Sequence, residues 1–224
     1  MKREKNELLQ MNKTVNIRNE VETDYKKVEE ITRRAFWNLY VPGCIEHYLV
    51  HVMRSHKDFL PELDFVIEVD DQLIGNIMYT KARLVDESGE EKEILTFGPL
   101  CIMPEYQRMG CGKMLMKHSS EQAVALGYDV IVIFGNPNNY VSSGFKSCKK
   151  YNVCLENGTY PAAMLVKELK PGALDGRKWV YYDSPVMRID EQEAQRFDET
   201  LEKMEKKYQP SQEVFYIHSH SFVQ

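Results

Sequence analysis

Apolar residues follow two different rhythms along this chain, and the change between them is its first structural signal. Val15 and Ile17 alternate with polar neighbours over residues 14–18, which predicts a short strand. From Thr23 or Asp24 onward, Val28, Ile31, Ala35 and Phe36 recur at helical spacing until Pro42-Gly43 breaks the chain. Ile45, Leu49, Val52 and Met53 predict a second helix over 45–56. Residues 65–69, 73–84 and 94–103 then read as strands joined at Asp70-Asp71 and at Asp86-Glu87-Ser88-Gly89, an antiparallel meander.

Beyond this point the order of elements is different. Residues 110–126 have the pattern of a helix, with Gly127 as a left-handed stop. Residues 130–134 are an unbroken apolar run, as in a strand covered on both faces. A strand, a helix and a buried strand in succession form a β-α-β crossover. A short helical turn over 137–144 and strands at 145–153 and 162–167 complete an α/β fold of mixed α+β type, a mixed sheet with helices packed on it. We expect a flexible N-terminus over 1–12, one domain over 13–170 and a C-terminal extension over 171–224. In the extension, residues 179–182 suggest a strand. Asp190 and Glu193 form a capping pattern, and Ala194, Phe197, Leu201, Met204 and Tyr208 repeat as an amphipathic helix that Pro210 would end. Such a helix packs on its own domain or on a second copy in a homodimer.

Composition removes several functional classes. The 224 residues carry 29 basic and 34 acidic side chains, a net charge of −5, without the basic face of a nucleic-acid binder. Apolar runs fall short of the ~20 residues a membrane helix needs, and the first residues lack a secretory h-region. The five cysteines form no C-x-x-C pair, which points to reduced, buried thiols in a cytoplasmic protein and to no structural metal. His47 and His51 share a helix face, but without an H-E-x-x-H glutamate or a third ligand they read as ordinary helix histidines. His218 and His220 near the C-terminus carry no clearer signal.

The chemistry is concentrated in GPLCIMPEYQRMGCGKML, residues 98–115. A strand runs to Pro104, turns, and opens a helix through Gln107-Arg108-Met109-Gly110-Cys111-Gly112-Lys113. The first N–H groups of a helix have no internal partner and sit at the positive end of its dipole, so such a turn suits phosphate oxygens. Neither the Walker A order nor G-x-G-x-x-G is present. Close packing of helix on strand would explain G-x-G alone equally well. The second feature is Asn136-Pro137-Asn138-Asn139-Tyr140-Val141-Ser142-Ser143-Gly144-Phe145, just after the buried strand, where α/β sheets tend to bind ligands.

Together these segments resemble the GNAT superfamily of N-acetyltransferases, in particular a bacterial branch of predicted acetyltransferases. The motif [QR]-x-x-G-x-[GA] is matched by Gln107, Gly110 and Gly112. The preceding L-x-[VI]-x-P-E-Y is matched by Leu100, Ile102, Pro104, Glu105 and Tyr106, and Y-x-x-x-G-F by Tyr140, Gly144 and Phe145. The resemblance covers roughly residues 14–168 and implies a mostly antiparallel central sheet with helices on both faces. It also implies acetyl-CoA as co-substrate. The backbone of Leu100, Cys101 and Ile102 would pair with the pantetheine arm, and the N–H groups from Arg108 to Lys113, with Gln107, Met109, Gly110, Cys111 and Gly112 in the loop, would hold the pyrophosphate. Tyr140 aligns with the tyrosine that protonates the departing thiolate.

The reaction implied is direct attack by a primary amine of a small molecule or peptide. Cys101 and Cys111 lie near the thioester on this reading, but no His adjoins either in sequence, so buried thiols are the simpler account. Phe134 stands where many relatives place a cofactor-binding Asn, and Asn136, Asn138 and Asn139 are substitutes with open roles. Glu91, Glu93, Glu105, His47 and His51 are the candidate bases, with none singled out. The competing reading is a non-catalytic acyl-CoA sensor that signals through the C-terminal segment. The identity of the amine is not legible.

Overall fold

Alternating apolar positions and tight turns build the meander. The computed structural model describes residues 13–224, so the expectation for 1–12 lies outside the described residues. Strands β1 (Val15–Asn19), β2 (Phe65–Val69), β3 (Gln72–Asp86) and β4 (Glu91–Ile102) pair antiparallel in that order. Asp70 and Asp71 both take positive φ, the conformation of a type I′ hairpin turn. Asp86 Oδ1 closes the next hairpin by accepting the N–H groups of Ser88 and Glu90 at 2.8 and 2.9 Å.

Two helices lie between β1 and β2: α1 (Tyr25–Phe36) and α2 (Glu46–Met53). Val28, Ile31, Val50 and Met53 are their buried anchors. Helix α3 (Cys111–Ala125) follows β4 and ends in a Schellman motif, in which Gly127 N–H reaches Val124 O and Tyr128 N–H reaches Ala123 O. It leads into β5 (Val130–Phe134), parallel to β4, which completes the expected crossover. Phe134 is the exception in the buried run, 47% exposed at the strand's end. The short helix α4 (Pro137–Tyr140) comes next.

The strand expected over 145–153 is instead divided into β6 (Lys146–Ser147), a 3-10 turn over 148–151, and β7 (Val153–Cys154). Asn152 adopts a left-handed φ of 55°, which a continuous strand cannot contain. Strands β8 (Met164–Glu168) and β9 (Trp179–Tyr182) complete a mostly antiparallel sheet ordered β1-β2-β3-β4-β5-β8-β6, with β9 beside β3 and β7 beside β9.

The C-terminal helix is shorter than its apolar spacing predicts. Helix α5 (Glu191–Asp198) starts at Asp190, whose carboxylate accepts two backbone N–H groups, but it stops well before Tyr208. Residues 201–209 are not helical because their backbone is engaged elsewhere. Arg33 donates to Glu202 O, Trp37 and Asn38 to Glu205 O, and Lys207 N–H donates to Asn38 Oδ1. Leu201, Met204 and Tyr208 are left exposed. Pro210 begins rather than ends a helix, occupying the first turn of α6 (Pro210–Ser219). Among the described residues no helix is long and apolar enough to cross a membrane.

Candidate active site

Strands β4 and β5 are hydrogen-bonded at a single register pair, Leu95 with Ile131, although both continue beyond it. Past that pair their C-terminal halves diverge, leaving the β5-facing edge of Leu100, Cys101 and Ile102 outside the ladder. On the opposite edge these residues pair with Ile77, Asn76 and Gly75 of β3, after an irregularity at Gly98-Pro99. A splayed pair of parallel strands exposes backbone donors and acceptors to an extended ligand.

Next to the splay, β4 ends in the turn that carries the motif. Gln107 Nε2 donates to Ile102 O at 3.0 Å and so ties the turn to the strand. Arg108 has φ of 66°, and Gly110, at the N-cap of α3, has φ of 89°. No side chain caps this helix end. A Cβ built on Gly110 would meet nothing within 4 Å, whereas one on Gly112 would point at Leu100 and Ile102 at 3.9 Å. The mouth of α3 therefore opens to solvent at Gly110, and its Gly112 side is packed on β4. From here a groove of about 430 Å³ runs along α3 toward the turn after α4, lined by Lys113, Lys117, Ser120, Glu121, Ser142, Ser143 and Lys167.

Tyr140 stands at the other lip of the splay. Its ring packs on Phe97 and Phe145, each at 5.9 Å between centroids. Burial drives its phenol pKa well above the ordinary value, and Tyr40 adds to the shift. Its position depends on a residue that sequence reasoning missed. A Cβ on Gly135 would fall 2.5 Å from Tyr140 Cε2, so the ring occupies space only glycine leaves open. Asn136 is accounted for as well. Its Oδ1 caps α4 by accepting Asn138 N–H at 3.0 Å.

The two nearby cysteines face inward. Cys101 Sγ accepts from Thr32 Oγ1 at 3.3 Å, and burial raises its thiol pKa to about 11. Cys111 is 1% exposed, and its thiol is also raised by burial. The candidate bases are brought into no common site. Glu91 pairs with Arg83 and Glu93 with Lys81 at the far end of β4, and Glu105 pairs with Arg34. His51 meets Glu29 at 3.0 Å, and His47 is buried beside Asp198 at 3.3 Å. Among the described residues no group of three metal-ligating side chains is assembled.

This architecture has known counterparts. The sequence profile of the acetyltransferase (GNAT) family matches residues 33–145. The chain is 28% identical over 162 residues to the uncharacterized N-acetyltransferase YhbS of Escherichia coli K12, covering 71% of this chain and 90% of YhbS. With the uncharacterized N-acetyltransferase YjhQ of the same organism it shares 25% identity over 126 residues, 56% of this chain and 66% of that protein. Among solved structures, E. coli YhbS in complex with CoA superposes with a TM-score of 0.66 at 23% identity, covering 79% of this chain and 93% of YhbS. A Brucella melitensis GNAT acetyltransferase in complex with acetyl-CoA gives 0.61 at 21% identity, over 78% and 99% of the two chains. These two structural likenesses are likenesses of fold.

Proposed function

The chain belongs to the GNAT acetyltransferase family, and from that premise we propose that it moves an acetyl group from acetyl-CoA to a primary amine by direct attack. The observation that carries this reading is the uncapped, glycine-opened mouth of α3 set beside the splay of β4 and β5. Helix N–H groups at such a mouth suit a pyrophosphate. The groove with Lys117 and Lys167 continues from it and suits the phosphorylated nucleoside end of CoA. In the other direction, the free edge of Leu100, Cys101 and Ile102 offers strand-like hydrogen bonds to the amides of the pantetheine arm.

That placement brings the thioester to the splay, near Tyr140. The amine nitrogen attacks the carbonyl carbon and negative charge builds on the oxygen. A backbone N–H of β4 stabilises the charge, and the C–S bond breaks as the carbonyl re-forms. Tyr140 gives its phenolic proton to the leaving sulfur, and the excess proton on the acylated nitrogen is lost to water, from which the phenolate is re-protonated. Burial holds the phenol in its neutral form, able to donate a hydrogen bond to the sulfur, while the raised pKa makes it a weaker acid than a free tyrosine. The inward-facing, protonated Cys101 and Cys111 favour direct attack over an acyl-enzyme. We place the reaction in the cytoplasm, in keeping with five free thiols.

Titration calorimetry with CoA, followed by CoA release in the presence of acetyl-CoA and a panel of amines, tests this reading. Micromolar CoA binding and amine-dependent turnover are expected. Absence of CoA binding would overturn the proposal, and binding without turnover on any amine would favour the sensor reading.

A further inference from the structure

In the acetyl-CoA reading the groove beside α3 receives the nucleoside end of the carrier, but the arrangement of charges within it carries a more specific meaning. Lys113, Lys117, Ser120 and Glu121 stand at i, i+4, i+7 and i+8, on one face of α3, and Lys167 of β8 lines the same groove. Three lysines against one glutamate make a local cationic surface on a chain whose net charge is −5.

Lys167 is the cation held in place. It is half-buried, and its Nζ donates to Ser120 Oγ at 3.1 Å and lies 5.6 Å from the centre of the Phe145 ring. Its Cε would be 3.7 Å from a Cβ on Gly144, and Ser120 is itself only 7% exposed. Among the described residues Lys167 belongs to no ion pair. Burial lowers its pKa, with Glu121 acting against the shift, as expected for a cation that lacks a close anion. Lys117 is the cation free to move. Its side chain is 79% exposed and pairs with Glu121 at 3.9 Å, a contact that contributes little in water. Lys117 follows Gly110 by seven residues, about 10 Å along the helix axis, a span that its own side chain and the ribose of a nucleotide can bridge.

We infer that this part of the groove is a phosphomonoester subsite in which Lys167 and Lys117 hold the 3′-phosphate of the carrier, so that the donor class is 3′-phosphorylated acyl-CoA and dephospho-CoA is selected against. The inference rests on the acetyl-CoA reading for what the mouth of α3 holds. A phosphomonoester carries about −1.5 to −2 charge at neutral pH and three acceptor oxygens. An ammonium has three donors, of which Lys167 spends one on Ser120, so the phosphate can engage both lysines at once. Lys167 is ordered before binding by Ser120, Gly144 and Phe145, which lowers the entropic cost of the contact. Glu121 opposes the phosphate from the same helix face and limits the gain.

The test is titration calorimetry of the full chain with CoA and dephospho-CoA, and with adenosine 3′,5′-bisphosphate and adenosine 5′-monophosphate as nucleotides without the pantetheine arm. The wild type is expected to bind CoA at least ~10-fold more tightly than dephospho-CoA, with the ratio falling as salt is raised. Lys167→Met keeps the stem beside Phe145 and removes the charge. That variant and Lys117→Ala are each expected to reduce the ratio several-fold with dephospho-CoA affinity unchanged. Glu121→Gln is expected to raise the ratio, a change of sign that misfolding cannot produce. Equal affinity of the wild type for CoA and dephospho-CoA, or a ratio undiminished in both lysine variants, would overturn the subsite and leave the acetyl-CoA reading in place. Failure of both carriers to bind would instead overturn the acetyl-CoA reading. The subsite would then stand if the bisphosphate binds more tightly than the monophosphate, and fall if the two bind equally.

Discussion

Gly135 and Tyr140 are in such close contact that the tyrosine ring fills the place a side chain at 135 would take, 2.5 Å from ring carbon to ideal Cβ. A contact this short cannot be relieved by a flexible terminus, because the ring is also held between Phe97 and Phe145. Gly135→Ala should therefore displace the phenol while leaving the mouth of α3 untouched. Steady-state kinetics should show kcat falling by ~10–100-fold with the KM for acetyl-CoA nearly constant, since small misplacements of a reacting group are costly. An unchanged kcat in a folded variant would detach Tyr140 from the chemistry.

Tyr140→Phe removes the proton and keeps the packing. The expected loss is ~10–100-fold in kcat with little change in acetyl-CoA affinity. The pH profile adds a sharper check. Burial raises the phenol pKa, so the wild-type rate should show no falling limb from this residue near the ordinary tyrosine value of ~10. A limb there that vanishes in the Phe variant would contradict the burial argument.

Gly110 and Gly112 are close in sequence yet should respond oppositely to a methyl group. At Gly110 the backbone is left-handed and the Cβ direction is open, into the space assigned to the pyrophosphate. Gly110→Ala should cost about 1–2 kcal/mol of stability from strain and weaken CoA binding by at least ~10-fold. At Gly112 the added Cβ would make ordinary contact with Leu100 and Ile102, away from the mouth. Gly112→Ala should raise stability by about 0.5–1 kcal/mol as a helix substitution and leave CoA affinity intact. Calorimetric Kd values and thermal melts on both variants decide the matter, and equal effects would mean the mouth is not where the ligand sits.

What could be read from the chain and what could not divide along a physical line. The meander, the α3 crossover and the glycine turn depend on local periodicity and local turn chemistry, which adjacent residues encode. The C-terminal segment depends on distant ones. Leu201, Met204 and Tyr208 have helical spacing, but Arg33, Trp37 and Asn38 claim the carbonyls that a helix would need. The insertion of β9 beside β3 is likewise a long-range pairing with no local marker. At the candidate site, the glycine turn that opens α3 was legible from its motif as a structural feature. Gly135 was not, because its role exists only when the Tyr140 ring folds back on it. Asn136 shows the reverse case, a candidate ligand whose side chain is engaged as a helix cap.

Stability should depend on pH through two buried groups of opposite sign. His47 is fully buried between Cys44 and Asp198. Desolvation, opposed by Asp198 and assisted by Arg33, lowers its pKa to about 4. Its folded pKa lies below the unfolded value of ~6.5, so its contribution is complete above that value and is lost as pH falls toward 4. Asp64 is raised to about 9 by burial, with Glu20 beside it, and accepts from Asn76 at 2.7 Å. For an acid with a raised pKa the sign reverses, and stability is lost as pH climbs from the unfolded value of ~3.9 through 9. Below pH 6.5 the two oppose each other, whereas from 6.5 to 8 the Asp64 contribution acts without His47 and below the range of the buried thiols. Urea midpoints should decline over that window in the wild type, with a limiting slope of about 1.4 kcal/mol per pH unit for one retained proton. Asp64→Asn should flatten the decline, and in that background the acid side should show the His47 loss unopposed. Parallel wild-type and Asp64→Asn curves from 6.5 to 8 would show that Asp64 ionises normally in the fold.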